Sequence, residues 1–334
     1  MTVRVFIGIP TVNRPALVRQ TIASVLAQTY TDYRVVVSDN CSAPDAAESV
    51  RQHVEEIGDP RIEFVAQARN SGEYGQGRFF YTQSEPAEYF MILHDDDVLK
   101  PQYLERGLEA LDAHRHIDAF VANPFLMNGD GAVSSRATRQ YLADHGRSRA
   151  RTGEFDALEN FMLYGFLPIS GTLFRRSALV RSGFADEHAL GNYPFECDVL
   201  LRFGNTGALA WYQNEELLGF RFHDSSMRNY MGLMDNPRVV QGMLRLFSAY
   251  RFTGRCERRR LIMLSRLHRA QSVIDLRRRD SFASRRSLLA ALRANIWSVK
   301  AWALTPFVML IPGICSRFLN EPKTAPEAPA YTAN

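Results

Sequence analysis

Apolar positions along the first hundred residues fall into two alternating rhythms. Val3 to Ile9 is a β-branched and aromatic run that stops at Pro10, as a strand does. From Pro15 to Gln28 the apolar residues recur as Leu17 and Val18, Ile22, then Val25 and Leu26, which is helical spacing with a proline in the first turn. Tyr33 to Val37, Arg61 to Val65 and Tyr89 to Leu93 read as further strands, and Ala46 to Val54 reads as a helix. This β-α-β-α order predicts an α/β protein with a Rossmann-like, mostly parallel sheet covered by helices. Sheets of that kind bind ligands beyond the carboxyl ends of their strands.

Polar clusters occupy those ends: "PTVNR" at 10–14, "SDNCS" at 38–42 and "HDDD" at 94–97. Turns and helix caps account for the first two, because Asn, Asp and Ser satisfy free backbone N–H groups. They do not account for the third. Consecutive carboxylates repel one another and a cap needs only one, so a divalent cation held with the phosphates it neutralises is the simpler explanation. In an extended segment alternate residues share a side, so Asp95 and Asp97 are expected to face one Mg²⁺ or Mn²⁺ while Asp96 points away.

Composition narrows the class. With 334 residues, 46 % hydrophobic and 23 % charged, the chain can bury a full core in one large or two unequal domains. Its four cysteines show no paired spacing, which argues against a disulfide framework or a cysteine zinc site. The first apolar run is too short and strand-like for a signal peptide, so a cytoplasmic protein is expected. The net charge of +4 hides an asymmetry: residues 251–300 hold fourteen Lys/Arg against three acidic residues, or +11, leaving −7 for the rest. An acidic body excludes a nucleic-acid groove through the main domain, whereas the basic tail calls for an anionic surface.

Two other readings of the same alternation fail. A dinucleotide-binding fold needs G-x-G-x-x-G after its first strand, but "GEYGQGRFF" places Phe80 at the third glycine and lies elsewhere. A nucleotidyltransferase needs a glycine-rich basic loop after the first strand, and "PTVNRP" has no glycine. The order of "PTVNR", "SDNCS", "RNSGEYGQGR" and "HDDD", followed by "PISGTLFRRSAL", "FECDVLLRF" and "LGFRFHDSSM", resembles the family 2 glycosyltransferases over about residues 1–230.

That resemblance implies a GT-A fold and a metal-dependent, inverting transfer of a sugar from a UDP- or dTDP-sugar to an acceptor hydroxyl. It implies that Pro10, Thr11 and Arg14 line the nucleotide site and that Asp39 accepts the base imide N–H, with Arg78 and Asp96 among the donor-binding positions. Asp95 and Asp97 would be the D-x-D pair, Asp97 the direct ligand, and His223 would face the metal or the diphosphate; a surface histidine after a strand is the other reading of His223. For the base that deprotonates the acceptor, "FECD" offers Glu196 and Asp198. Glu196 stands six before Arg202, where the family commonly has aspartate, while Asp198 stands at i,i+4 to Arg202 and could simply pair it. A catalytically degenerate relative that only binds a nucleotide-sugar or a partner is the alternative.

The expected organisation is a donor-binding half at 1–123, an acceptor-binding half at 124–235 with a mobile loop around Arg136 to Arg151, a basic helical extension at 236–320 and a disordered tail at 321–334. In the extension, Leu261, Leu264, Leu267 and Ile274 mark an amphipathic basic helix. Ala301 to Ser316 is an uncharged stretch too short to span a bilayer and broken by Pro306 and Pro312. Together they suggest peripheral attachment to an anionic inner membrane face, and with it a lipid-linked glycan acceptor in cell-surface polysaccharide assembly. Docking of these helices on the body, or a homodimer contact through them, is the competing reading.

Overall fold

The structure is a computed structural model and describes residues 3–185, 192–222, 233–310 and 312. They form two compact units, one of Met1–Glu187 with Phe195–Asp224, the other of His188–Pro194 with Ser225–Asn334.

In the first unit, nine strands make one mixed sheet among the described residues. β1 (Val5–Thr11), β2 (Tyr33–Asp39), β3 (Ile62–Ala66) and β4 (Tyr89–Ile92) run parallel in the order β3-β2-β1-β4. Beyond β4 the order continues as β8 (Leu173–Arg175), β6 (Ala119–Met127), β9 (Leu209–Arg221) and β5 (Val98–Leu99), with β7 (Gly153–Asp156) on β9. β8 is antiparallel to both neighbours, so the sheet changes character after β4.

β1 and β2 are apolar on both faces because helices cover both. Ile7, Val35 and Met91 point to one side, against Val18, Ile22 and Val25 of α1 (Pro15–Leu26) and Leu104 and Leu108 of α4 (Tyr103–Ala113). Phe6, Val36 and Phe90 point to the other, against Phe80 of α3 (Gly72–Gln83) and Phe195, Val199 and Phe203 of α8 (Asn192–Asn205). At Gly8 of β1 a Cβ would lie 2.4 Å from the Phe80 ring, so only glycine lets α3 settle this close. β6 passes through Pro124, a residue that a central ladder excludes, because a bulge at Asn123 and Pro124 lifts it out of register with β9.

Three expectations need correction. The arginine-rich stretch is no loop: Ser135–Asp144 is helix α5, and Arg147 in the following 3₁₀ turn is 1 % exposed, donating to the carbonyls of Gly165 (3.2 Å) and Phe166 (2.8 Å). The remaining helices of the first unit are α2 (Pro44–Ile57), α6 (Ala157–Leu163) and α7 (Arg176–Ser182). In the second unit, α9 (Pro237–Ala249), α10 (Gly254–Arg277), α11 (Ser281–Ala294) and α12 (Val299–Leu310) pack in succession. Leu264, Leu267 and Ile274 of the basic helix α10 are buried, and the Ser272 and Ser284 hydroxyls each donate to the other's carbonyl at 2.9 Å to seat α11 on it. The apolar face of α10 is therefore buried and not free for a membrane. Finally, α12 continues through Pro306, which sits on its outer side where the ring has room. No helix among the described residues is long and apolar enough to cross a membrane.

Candidate active site

Parallel pairing brings the polar strand ends together. Thr11 stands opposite Asp39 and Gly8 opposite Ile92, so "PTVNR", "SDNCS" and "HDDD" leave the sheet at adjoining places. The first two are stitched to each other: the Asn13 N–H donates to Ser42 Oγ (2.8 Å) and Asn13 Oδ1 accepts from the Ala43 N–H (2.8 Å). Asn13 and Cys41 take φ of +54° and +64°, the left-handed conformation that such tight exits demand. Asp39, 2 % exposed, accepts from both the N–H (2.9 Å) and the hydroxyl of Ser42.

His94 to Asp97 forms a turn closed by the Asp97 N–H on the His94 carbonyl at 3.1 Å. A turn does not obey the two-residue period of a strand, so the expected sharing of sides by Asp95 and Asp97 fails. Asp95 instead accepts from Thr11 Oγ1 (2.8 Å) and Arg14 Nη1 (3.1 Å). Asp97 accepts from Ser170 Oγ (2.6 Å) and weakly from the Arg221 N–H (3.4 Å). Asp96 meets Arg14 at 3.2 Å. Among the described residues, the side chains whose ligand atoms converge, all within 4.8 Å of one another, are His94, Asp96 and Asp97. His223 lies outside the described residues.

Around this turn the structure engages four further residues. Ser170 holds both ends of the turn, donating to Asp97 and accepting from the His94 N–H at 3.1 Å. The Arg221 guanidinium donates to the Asp96 carbonyl (3.0 Å), to Gly129 O (3.1 Å) and to Gln20 Oε1 (2.7 Å), fixing the end of β9 against it. Glu73, in the first turn of α3, has one carboxylate oxygen buried without a partner, as does the side-chain carbonyl of Gln76 one turn on. Both line a small cleft with Pro10, His94, Ile169 and Phe195. A glutamate inside "GEYGQGR" carries no pattern that marks it, and only packing turns it inward.

Glu196 of α8 approaches the His94 of this cleft, its Oε1 3.7 Å from His94 Nε2. Asp198 does not: it is 2 % exposed and takes Arg202 Nε on both oxygens at 3.0 Å. Arg78 is exposed, its guanidinium 6.0 Å from the Tyr81 ring centre. Burial raises the carboxyl groups of Glu73, Asp95, Asp97 and Glu196 above their ordinary range, with Glu196 acting further on Glu73 and Asp96 on Asp97. Burial pulls His94 down, yet Glu196, Glu73, Asp97 and Asp96 outweigh it and push the imidazole up to about 9.

A mixed sheet whose parallel half ends in such a carboxylate cleft is an α/β architecture able to hold a nucleotide and a cation at its strand ends. The model of Glycosyl transferase family 2 matches residues 6–181, over half of the chain, and the chain belongs to that family. It is 31 % identical over 124 residues to the putative colanic acid biosynthesis glycosyl transferase WcaA of Escherichia coli (strain K12), covering 37 % of this chain and 41 % of that protein. It is 35 % identical over 101 residues to the succinoglycan biosynthesis protein ExoO of Rhizobium meliloti (strain 1021), covering 30 % and 28 %. Each alignment spans less than half of the relative. Among solved structures, S. aureus TarS 1-349 superposes with a TM-score of 0.56 at 14 % identity over 91 % of this chain and 86 % of that one. Its complex with UDP-GlcNAc gives 0.58 at 15 %. The shared architecture is the GT-A fold.

Proposed function

We propose that the protein is a metal-dependent glycosyltransferase that moves a sugar from a UDP- or dTDP-sugar to an acceptor hydroxyl, with inversion. The observation that carries this reading is the convergence of His94, Asp96 and Asp97 beside Glu196 at the ends of β1, β2 and β4. One imidazole nitrogen with two carboxylate oxygens fits Mn²⁺ better than Mg²⁺, which is normally held by oxygen alone. When bound there, the cation neutralises the charge that develops on the departing diphosphate.

Every other task falls to this chain's own residues. Asp39 has lone pairs beyond those given to Ser42 and accepts the base imide, as UDP-GlcNAc on TarS suggests for a uracil nucleotide. Arg14, bound to Asp95 and Asp96, is placed to meet phosphate. The unpartnered oxygens of Glu73 and Gln76 accept sugar hydroxyls, since buried acceptors left unsatisfied cost free energy. Glu196, with its raised carboxyl pKa, takes the acceptor's proton as the acceptor oxygen bonds to the anomeric carbon and the bond to the diphosphate breaks. WcaA and ExoO, named for colanic acid and succinoglycan biosynthesis, support a polysaccharide-assembly acceptor, lipid-linked where the membrane supplies it.

Thermal denaturation with UDP- and dTDP-sugars, with and without Mn²⁺, tests this. A donor at 100 times its Kd adds about 2.7 kcal/mol, a shift of several degrees. The shift is expected only with Mn²⁺ and is expected to vanish in Asp96→Asn. A shift that ignores Mn²⁺, or none with any nucleotide sugar, would sink the proposal.

A further inference from the structure

Among the described residues, the helical unit presents an apolar face that no other part of that unit covers. α12 buries Ala301 and Val308 with Leu288 and Ala291 of α11, which accounts for one side. Its opposite side carries Val299, Trp302, Phe307 and Leu310 at 79 %, 51 %, 50 % and 78 % exposure, with Ala303 and Pro306 exposed between them. That spacing is one helical stripe, so α12 is apolar all round, and Lys300 is its one charged residue. Trp297, 87 % exposed in the turn before it, extends the surface. On α11 the exposed Phe282 and Leu289 alternate with Arg285, Arg286 and Arg293. Residues 281–310 hold four positive side chains and no negative one.

We propose that this face seats on an anionic lipid bilayer, with α12 lying in the boundary between headgroups and acyl chains. Charge selects the occupant. A second copy would bring two surfaces of +4 together, whereas lipid phosphates neutralise them and leave the apolar stripe free to insert. Tryptophan, apolar in body with one polar N–H, suits that boundary. The described length of the helix falls short of a span: twelve residues at about 1.5 Å each reach about 18 Å, against about 30 Å of hydrocarbon. Pro306 also supplies no N–H to the Trp302 carbonyl, which therefore needs water or a headgroup donor. Arg285 donates to the carbonyls of Val308 (3.4 Å) and Met309 (3.0 Å) at the end of α12, holding the basic and apolar faces side by side.

The test sediments the full chain with phosphatidylcholine vesicles, alone or mixed with phosphatidylglycerol, while following tryptophan emission. Binding is expected to the mixed vesicles only, with a blue shift, and to weaken as salt shortens the screening length from about 8 to about 3 Å. Trp302→Asp with Phe307→Asp is expected to lower vesicle affinity on the order of tenfold or more. Arg286→Glu with Arg293→Glu, both exposed, is expected to remove the preference for anionic lipid, and it carries the test if the aspartate pair unfolds the unit. Failure to bind either vesicle overturns the assignment. So does a salt-stable dimer in sedimentation equilibrium that the aspartate pair dissociates, which would give the face to a second copy.

Discussion

At the scale of residues, the roles separate by which carboxylate oxygens are already engaged. Asp198 gives both of its oxygens to Arg202, whereas Glu196 has its Oε1 3.7 Å from His94 Nε2 and its charge acts on Glu73. Glu196→Gln is therefore expected to lower kcat by roughly 10²-fold or more with little change in donor affinity. Asp198→Asn is expected to cost about 1–3 kcal/mol of stability, read in denaturant melts, while sparing most of the turnover. A crippled but stable Asp198→Asn would reverse the assignment. Burial raises the Glu196 carboxyl, so its basic form is populated only as pH rises past that raised value. The acid limb of the pH–rate profile should accordingly lie above the ordinary glutamate range and disappear in Glu196→Gln.

At the scale of elements, the cleft depends on α3 and α8 lying close together. A Cβ at Gly77 would fall 2.2 Å from Cζ of Phe195, which is 3 % exposed and wedged edge-on against Tyr74 and Phe184. Gly77→Ala gains about 1 kcal/mol of helix propensity but forces this ring aside, at an overpacking cost of about 1–3 kcal/mol. Phe195 directly precedes Glu196, so the displacement reaches the proposed base. A modest fall in melting temperature with a much larger fall in kcat/KM is the expected result, and Phe195→Leu in the same chain should restore part of the rate. Unchanged kinetics would show that the α3–α8 contact does not position Glu196.

At the scale of the whole molecule, each of the two compact units has an apolar core of its own. Calorimetry is expected to resolve two transitions, with UDP and Mn²⁺ raising only that of the unit holding the aspartates. A single transition that moves as one would refute this independence.

The sequence by itself determined four strands and two helices of the first hundred residues, because hydrophobic periodicity and proline at helix starts are local signals: Pro15–Leu26 and Tyr33–Asp39 lie where the pattern put them, whereas the glycine-rich α3 (Gly72–Gln83) carried no such pattern. It also determined that polar groups gather at the strand ends, since parallel pairing leaves those ends side by side. Tertiary structure decided what depends on contacts between distant residues. Asp95 turns to Thr11 and Arg14, Ser170 reaches Asp97 across 73 positions, and Glu73 faces inward; none of these has a local signature. The basic helix α10 and the apolar helix α12 look equally fit for a membrane as sequences. Only packing covers the stripe of the first and, among the described residues, leaves one side of the second exposed, because which face is buried is a property of the neighbour and not of the segment.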